Sequence, residues 1–553
     1  MKLVLVETPA QAKTLTDNLG EGWRVEACQG FVRALPADTL GIDVNDDFRP
    51  TFIVAPGKGN LVRRLMKAIR ECEAVYVATP PNREGEALAW HVLALSPDAK
   101  DKLIYRVTLH ALTPDAISAA FAAPSPLDMN AIEADLTERI VDRLVGWGAN
   151  GAARKALGFK TALSYNAMVA LRLLAQRDHE ITAFIAETRW RAAVAFQIAG
   201  VPFTAHVLNA KGAPLALRNE EQATQLRTLL EYATFWVDKT RQVMKATPAP
   251  AALTLLTLIA TAERELGLSP TRTLGLLATL YEAGWITHPD GHPLPALSEA
   301  ARAHVRREYG TDYVASDTVI TDGIAPADIY RMPEDLPGDG SALYGLIWRQ
   351  FIAAHMTPLQ ERITAARILV GAAQGKPYPL ELRAQAKHLY FDGWQQALNN
   401  PYIEEALPEW TEGAPLPQAQ VNIDSVTTEP ALRFTEGTLV SALATIGMSA
   451  VSAARAIDQL QAAGYITAEE DHLTLSQSGR VVADYLAASF ADLTSSQSAA
   501  ELNADIDHIA TGERERLDVL RAFWSRFGGA LSPDSTQRVV EHKPIVLRPA
   551  EEG

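Results

Sequence analysis

Hydrophobic and polar positions change rhythm along the chain, and each rhythm predicts a class of element. Lys2 to Glu7 is a short apolar run closed by an acid, and Ala74 to Ala78 is a second. Tyr105 to Leu109 alternates like a third strand. Helix signals follow these runs. Thr8-Pro9 and Thr113-Pro114-Asp115 set a capping hydroxyl before a proline suited to a first helical turn, and a Pro-Pro-Asn loop precedes a helix from Arg83 to about Leu95. Strands alternating with helices over the first 125 residues predict a mainly parallel α/β domain that takes ligands beyond the carboxyl ends of its strands. From Ile132 to about Phe184 the period becomes 3.6, with a glycine-rich interruption expected at Gly146 to Gly151.

Residues 190–245 and 366–430 alternate like strands, as in Arg191 to Phe196, and predict two passes through one β-rich domain. A helical block lies between them and another follows. The two blocks echo each other: Leu280 to Thr287 (LYEAGWIT) resembles Leu460 to Thr467 (LQAAGYIT). Each copy follows an amphipathic helix and carries glycine where a helix stops before a strand. His472 to Leu475 then reads as a short wing strand, which completes a winged-helix pattern. Joints of this kind are common, so the echo alone does not establish contact with DNA.

Composition narrows the class. The chain has 553 residues, which suggests three or four domains at roughly 150 residues each. With 48% hydrophobic and 21% charged residues it reads as globular, not disordered or collagenous. Cys28 and Cys72 are too few for a four-cysteine zinc site or a disulfide framework, and fit a reducing, cytoplasmic setting. The apolar stretch at the start is too short for a signal peptide, and the longest apolar tract, Ala251 to Ala262, is about half a membrane span. No membrane partner is expected. The formal charge of −15 counts against indiscriminate nucleic-acid binding. One segment runs the other way. Between Arg139 and Arg177 stand Arg139, Arg143, Arg154, Lys155, Lys160, Arg172 and Arg177 against the single acid Asp142, although the flanks (Glu133, Asp135, Glu138, Asp178, Glu180) are acidic. This pattern fits an anion-facing groove.

Several segments, in order, resemble the type IA DNA topoisomerases. Val6 to Lys13 (VETPAQAK) is similar to V-E-S-P-x-K-A-K, and Gly30 to Pro36 (GFVRALP) to G-H-I-R-D-L-P. Ala78 to His91 (ATPPNREGEALAWH) resembles the Toprim signature A-T-D-P-D-R-E-G-E-A-I-A-W-H. Arg139 with Asp142 to Gly146 matches R-x-x-D-R-L-V-G; Leu280 to Thr287 matches the stretch before the family's catalytic tyrosine; Leu343 to Trp348 and Asp505 to Glu513 match two later landmarks. The resemblance implies a multidomain α/β plus α+β clamp with a Toprim α/β domain, a β-rich arch and winged-helix-like domains. Its expected divisions are a Toprim-like domain at 1–130, a basic helical groove part at 131–189, arch passes at 190–247 and 366–430, a winged-helix-like domain with the nucleophile position at 248–365, a C-terminal winged-helix-like part at 431–533 and a tail at 534–553. It implies single-stranded DNA as partner, with Lys13, Arg33, Lys58, Arg83, Arg139, Arg143, Arg172 and Arg177 as DNA-binding residues.

The departures fall on the chemistry that the resemblance implies: a tyrosine that holds the 5′ phosphate covalently, Mg²⁺ on an acidic cluster, and basic contacts to the scissile phosphate. The nucleophile position is His288, and M-R-T-D-S becomes Pro289 to Pro293 (PDGHP). The first two Toprim aspartates are Pro80 and Asn82, while Glu84 remains; the first lysine of the opening motif is Gln11. G-R-V-Q falls at Ser164 to Ala167, H-E-A-I-R-P at Thr321 to Pro326, and G-I-G-R-P-S-T-Y at Gly447 to Ala454. Glu7, Glu84 and His288 therefore occupy active-site positions without the full set, in the manner of a pseudoenzyme. No cofactor is expected. A residual Mg²⁺ at Glu7, Glu84 and Glu86 would lack two ligands, and His288, Asp290 and His292 read as a chance cluster. The expected function is binding of single-stranded DNA without strand cleavage. The alternatives are an active topoisomerase with a relocated nucleophile, Tyr165 or His288, and an interaction scaffold for an unidentified protein partner.

Overall fold

A computed structural model of the chain describes residues 1–532 apart from 159–160, 216, 294, 317–318, 399–400, 406–407 and 418–419. Lys160 and the expected tail at 534–553 lie outside the described residues. Near the start, Lys2–Val6 lies between Trp23–Ala27 and Ala74–Val77, with Leu103–Arg106 on the far edge, in a fully parallel four-stranded sheet. The third strand is shifted from the expected Tyr105 to Leu109. Its neighbour stops at Val77, where the Pro80-Pro81 loop leaves the sheet, so the ladder ends at Arg106. Helix Pro9–Leu19 begins as its sequence predicts: the Thr8 hydroxyl accepts the Gln11 N–H, and the Gln11 side chain reaches back to the Thr8 N–H.

Alternate residues of Lys2–Val6 serve two cores. Leu3 and Leu5 pack with Val62, Leu65, Ile69, Leu88 and Val92 of the local helices. Val4 and Val6 face the other way, into an apolar cluster with Leu277, Tyr281, Ile286, Tyr344 and Phe351. The parallel sheet and the first helical block thus share one core.

Met129–Leu157 is a single helix of 29 residues, and the expected interruption at Gly146 to Gly151 is absent. One of its glycines serves close packing. A Cβ on Gly148 would lie 2.6 Å from the Leu531 carbonyl oxygen of the Arg516–Leu531 helix, so glycine is what lets the two helices meet there. Strands from 188–247 and 359–427 lie together in one seven-stranded antiparallel sheet. The internal echo is structural in its turns: Gly284 and Gly464 both have φ of 68°, and the following N–H groups of Trp285 and Tyr465 bond Leu280 and Leu460. Beyond the turns the copies part. The second continues into a hairpin, Ile466–Glu469 with His472–Leu475, whereas the first has an isolated bridge between Ile286 and Pro326. Among the described residues, no helix is long and apolar enough to cross a membrane.

Two glycines of one helix should respond oppositely to a methyl group. Gly148→Ala must displace the Leu531 backbone and should cost about 1–3 kcal/mol. Gly151→Ala meets nothing within 4 Å and should gain about 0.4–1 kcal/mol by restricting the unfolded chain. Thermal unfolding checks both: the midpoint should fall for the first and rise for the second.

Candidate functional site

Three consecutive residues at the start of helix Arg83–Leu93 reach three different elements. Asn82 caps the helix by accepting the Gly85 N–H at 2.8 Å, and its amide nitrogen donates to Asp290 at 2.7 Å. Arg83 pairs with Asp507 at 3.1 Å, and Arg455 approaches Glu84 at 3.5 Å. Gly85 makes this turn possible, because a Cβ there would lie 2.1 Å from the Pro80 carbonyl oxygen. Arg106 holds the same loop from below, donating to the carbonyls of Pro80, Val77 and Val107 and to Glu86.

His288 follows the Gly284 turn and sits opposite this loop. Its N–H donates to the His110 carbonyl at 2.7 Å, and its Nδ1 accepts the Asp290 N–H at 3.1 Å, which leaves the neutral ring's proton on Nε2. The ring stands edge-on to Tyr281 at 4.8 Å. Burial pushes its pKa down to about 4, so the imidazole is neutral at pH 7. The His292 N–H donates to His110 Nδ1, while its own Nδ1 meets the Thr321 carbonyl. The three side chains thus meet different groups: His288 the Asp290 N–H, Asp290 the Asn82 amide and His292 the Thr321 carbonyl.

The remaining acids do not fit the Mg²⁺ that the family resemblance implies. Glu86 is spent on buried Arg106 and also accepts the Asp128 N–H. Glu7 is raised above the ordinary carboxyl value by burial first, then by the charges of Glu84 and Glu282. Position 80 offers no ligand, and both ends of the Asn82 amide are engaged. Among the described residues, no group of three or more His, Cys, Asp or Glu is placed to hold a metal ion. Gln11, at the position of the motif's first lysine, is buried and accepts the N–H groups of Glu7 and Thr8.

A cavity of about 970 Å³ lies between the Asn82–Glu84 turn, the 289–292 loop and the Ala450–Ala462 helix. Arg83, Arg139 and Arg455 line it, against Glu84, Asp135, Glu138, Asp142, Asp290 and Asp322. Acids outnumber cations at this end. A second cavity of about 620 Å³ shares Asp142, Ser164 and Gln459 with the first, and there the balance reverses: Arg143 and Arg154 face Asp142 alone. Trp147, with 39% of its surface exposed, stands in the same wall.

The expected DNA-binding residues are thus divided. Arg83 and Arg139 line the first cavity and Arg143 the second, but five lie elsewhere. Lys13 is exposed and pairs with Asp17; Lys58 donates to the Gln29 carbonyl. Arg33 is drawn into an aromatic cluster, donating to His91 and stacking over Trp90 and Phe52. Burial pushes His91 down to about 3, so it is neutral and accepts this bond. Arg172 is half-buried near Asp484, and Arg177 bonds Glu180 and the Leu432 carbonyl while covering Phe434. These last two stand on a separate helix, Tyr165–Ala183, and not on the one that carries Arg139 and Arg143, which a count along the sequence does not register. Tyr165 lines the first cavity but is 5% exposed, and its hydroxyl donates to the Leu493 carbonyl; burial raises its pKa. Sequence reasoning missed Arg455, Gln459 and Trp147. A tryptophan inside a glycine-rich run was the available signal for the last.

Comparison with known proteins places the chain as a whole. The family profile described as DNA topoisomerase matches residues 126–521, and the Toprim domain profile matches residues 2–112. DNA topoisomerase 1 of Pseudomonas aeruginosa is 28% identical over 581 aligned positions, covering 95% of this chain. The match spans 66% of that relative's length. Among solved structures, full-length topoisomerase I from Thermotoga maritima superposes with a TM-score of 0.85 at 26% identity, covering 97% of this chain and 91% of that one. With an ordered set of motifs, a matching profile over most of its length and a shared whole-chain architecture, the chain belongs to the type IA DNA topoisomerase family.

Proposed function

We propose that the protein binds single-stranded DNA in the groove formed by the two cavities and does not cut it. The carrying observation is what stands at the cleavage position: His288 is a neutral imidazole that accepts the Asp290 N–H, and the Asp290 carboxylate meets Asn82, where the family motifs place tyrosine, arginine and aspartate. The Tyr165 phenol gives no substitute nucleophile, since its hydroxyl is buried against the Leu493 carbonyl. Arg143, Arg154 and Trp147 support strand binding, because cations that track a backbone beside an aromatic platform are the features that hold single strands. This reading keeps the domain divisions at 130, 189, 247, 365, 430 and 533, with helix, turn and hairpin between Glu436 and Leu475 taken as a winged helix. Two free, buried cysteines fit the cytoplasmic setting proposed with it.

Purified protein with Mg²⁺ should leave negatively supercoiled DNA unrelaxed. Protein-dependent relaxation would overturn the reading, and loss of the covalent adduct in Tyr165→Phe or His288→Ala would then identify the nucleophile. His288→Tyr alone should also fail to nick. Its phenol would face Asn82, Pro80 and Asp290, and a single missing transition-state contact can cost roughly 10²- to 10³-fold.

Binding should be read by fluorescence anisotropy with a labelled oligonucleotide at several salt concentrations. Affinity should fall with a log–log slope of about −0.7 per contacted phosphate. Arg143→Ala and Arg154→Ala should each weaken binding to unrelated sequences alike and flatten the slope by about 0.7. Arg177→Ala, remote from both cavities, should leave affinity within about twofold. Absence of binding at low salt would favour a protein scaffold.

A further inference from the structure

Two positions that depart from the family motifs depart together. The resemblance places aspartate at 82 and arginine at 290, and this chain has Asn82 and Asp290. The replacements are complementary. An aspartate at 82 would still cap the helix, but it would set a second carboxylate against Asp290. Only an amide serves both sides: its oxygen accepts the Gly85 N–H, and its nitrogen donates to Asp290 across 208 residues of chain.

We propose that Asn82 and Asp290 form a latch that fastens the 288–293 loop to the Toprim domain. The latch is one of a row of contacts along the same seam. The His288 N–H donates to the His110 carbonyl, the His292 N–H to His110 Nδ1, and the Thr8 hydroxyl to Glu282 at 2.5 Å. Among these, Asn82 and Asp290 stand at positions where the motifs carry metal-binding and phosphate-binding residues. A place for strand chemistry has become a fastening between two domains. The latch is a property of the protein without DNA, so it stands or falls separately from strand binding.

Hydrogen–deuterium exchange of the DNA-free, full-length protein at pH 7 tests it, read on the peptide that holds the amides of His288, Asp290, Gly291 and His292. Asn82→Asp keeps the helix cap but replaces the donor with a like charge, and exchange there should rise about fivefold, as loss of one hydrogen bond predicts. The double variant Asn82→Asp with Asp290→Asn rebuilds the bond with donor and acceptor exchanged, and should return exchange to the wild-type rate. Wild-type exchange in the single Asn82→Asp variant would overturn the latch. So would a double variant that exchanges as fast as the single one.

Discussion

The strand Lys2–Val6 holds the architecture together because side chains alternate across a sheet. Leu3 and Leu5 anchor the helices of the parallel domain, and Val4 and Val6 anchor the block that contains Leu277, Tyr281 and Ile286. All four are essentially inaccessible to solvent, and each such side chain contributes about 1.5–3 kcal/mol by burial. Glu7 follows directly at the strand's carboxyl end. Residues 7, 82–84 and 288 are neighbours because this shared core aligns the strand end with the Gly284 turn.

At that junction the polar groups satisfy one another. Buried polar atoms without partners are costly, so each group at the junction takes a partner within reach. Gln11 turns back to cap its own helix, Glu86 is held by Arg106, the Asn82 amide spans Gly85 and Asp290, and His288 receives the Asp290 N–H. Carboxylates dominate the first cavity and guanidinium groups the second. An acidic chain can in this way carry a local basic wall, since potential follows placement and not the total.

Some features were readable in the linear order because their physics is local. Thr8 with Gln11, Asn82 with Gly85 and Thr113 with Ala116 form caps from residues three apart, and Gly284 and Gly464 end their helices in the conformation that glycine favours. The alternating segments at 190–245 and 366–430 declared most of their strands in the same way, but not the helix Glu220–Glu231 within the first or the start of the second at Leu359. The run Gly146 to Gly151 misled because glycine usually marks a break. Here the cost of glycine in a helix is offset by close packing against Leu531, a residue almost 400 positions away.

The sequence by itself determined the family, through an ordered set of motifs, and which residues stand at positions 80, 82 and 288. It could not determine which cations share a surface. Arg33, Arg172 and Arg177 carry the same charge as Arg139 and Arg143, yet aromatic packing holds Arg33 and Arg177 elsewhere and Arg172 lies near a carboxylate. Nor could it show that Asn82 meets Asp290, or that Arg455 meets Glu84. Those contacts depend on how segments far apart in the sequence close against one another. Long-range pairing is decided by the geometry of the shared cores, and nothing within a few residues of either partner encodes it.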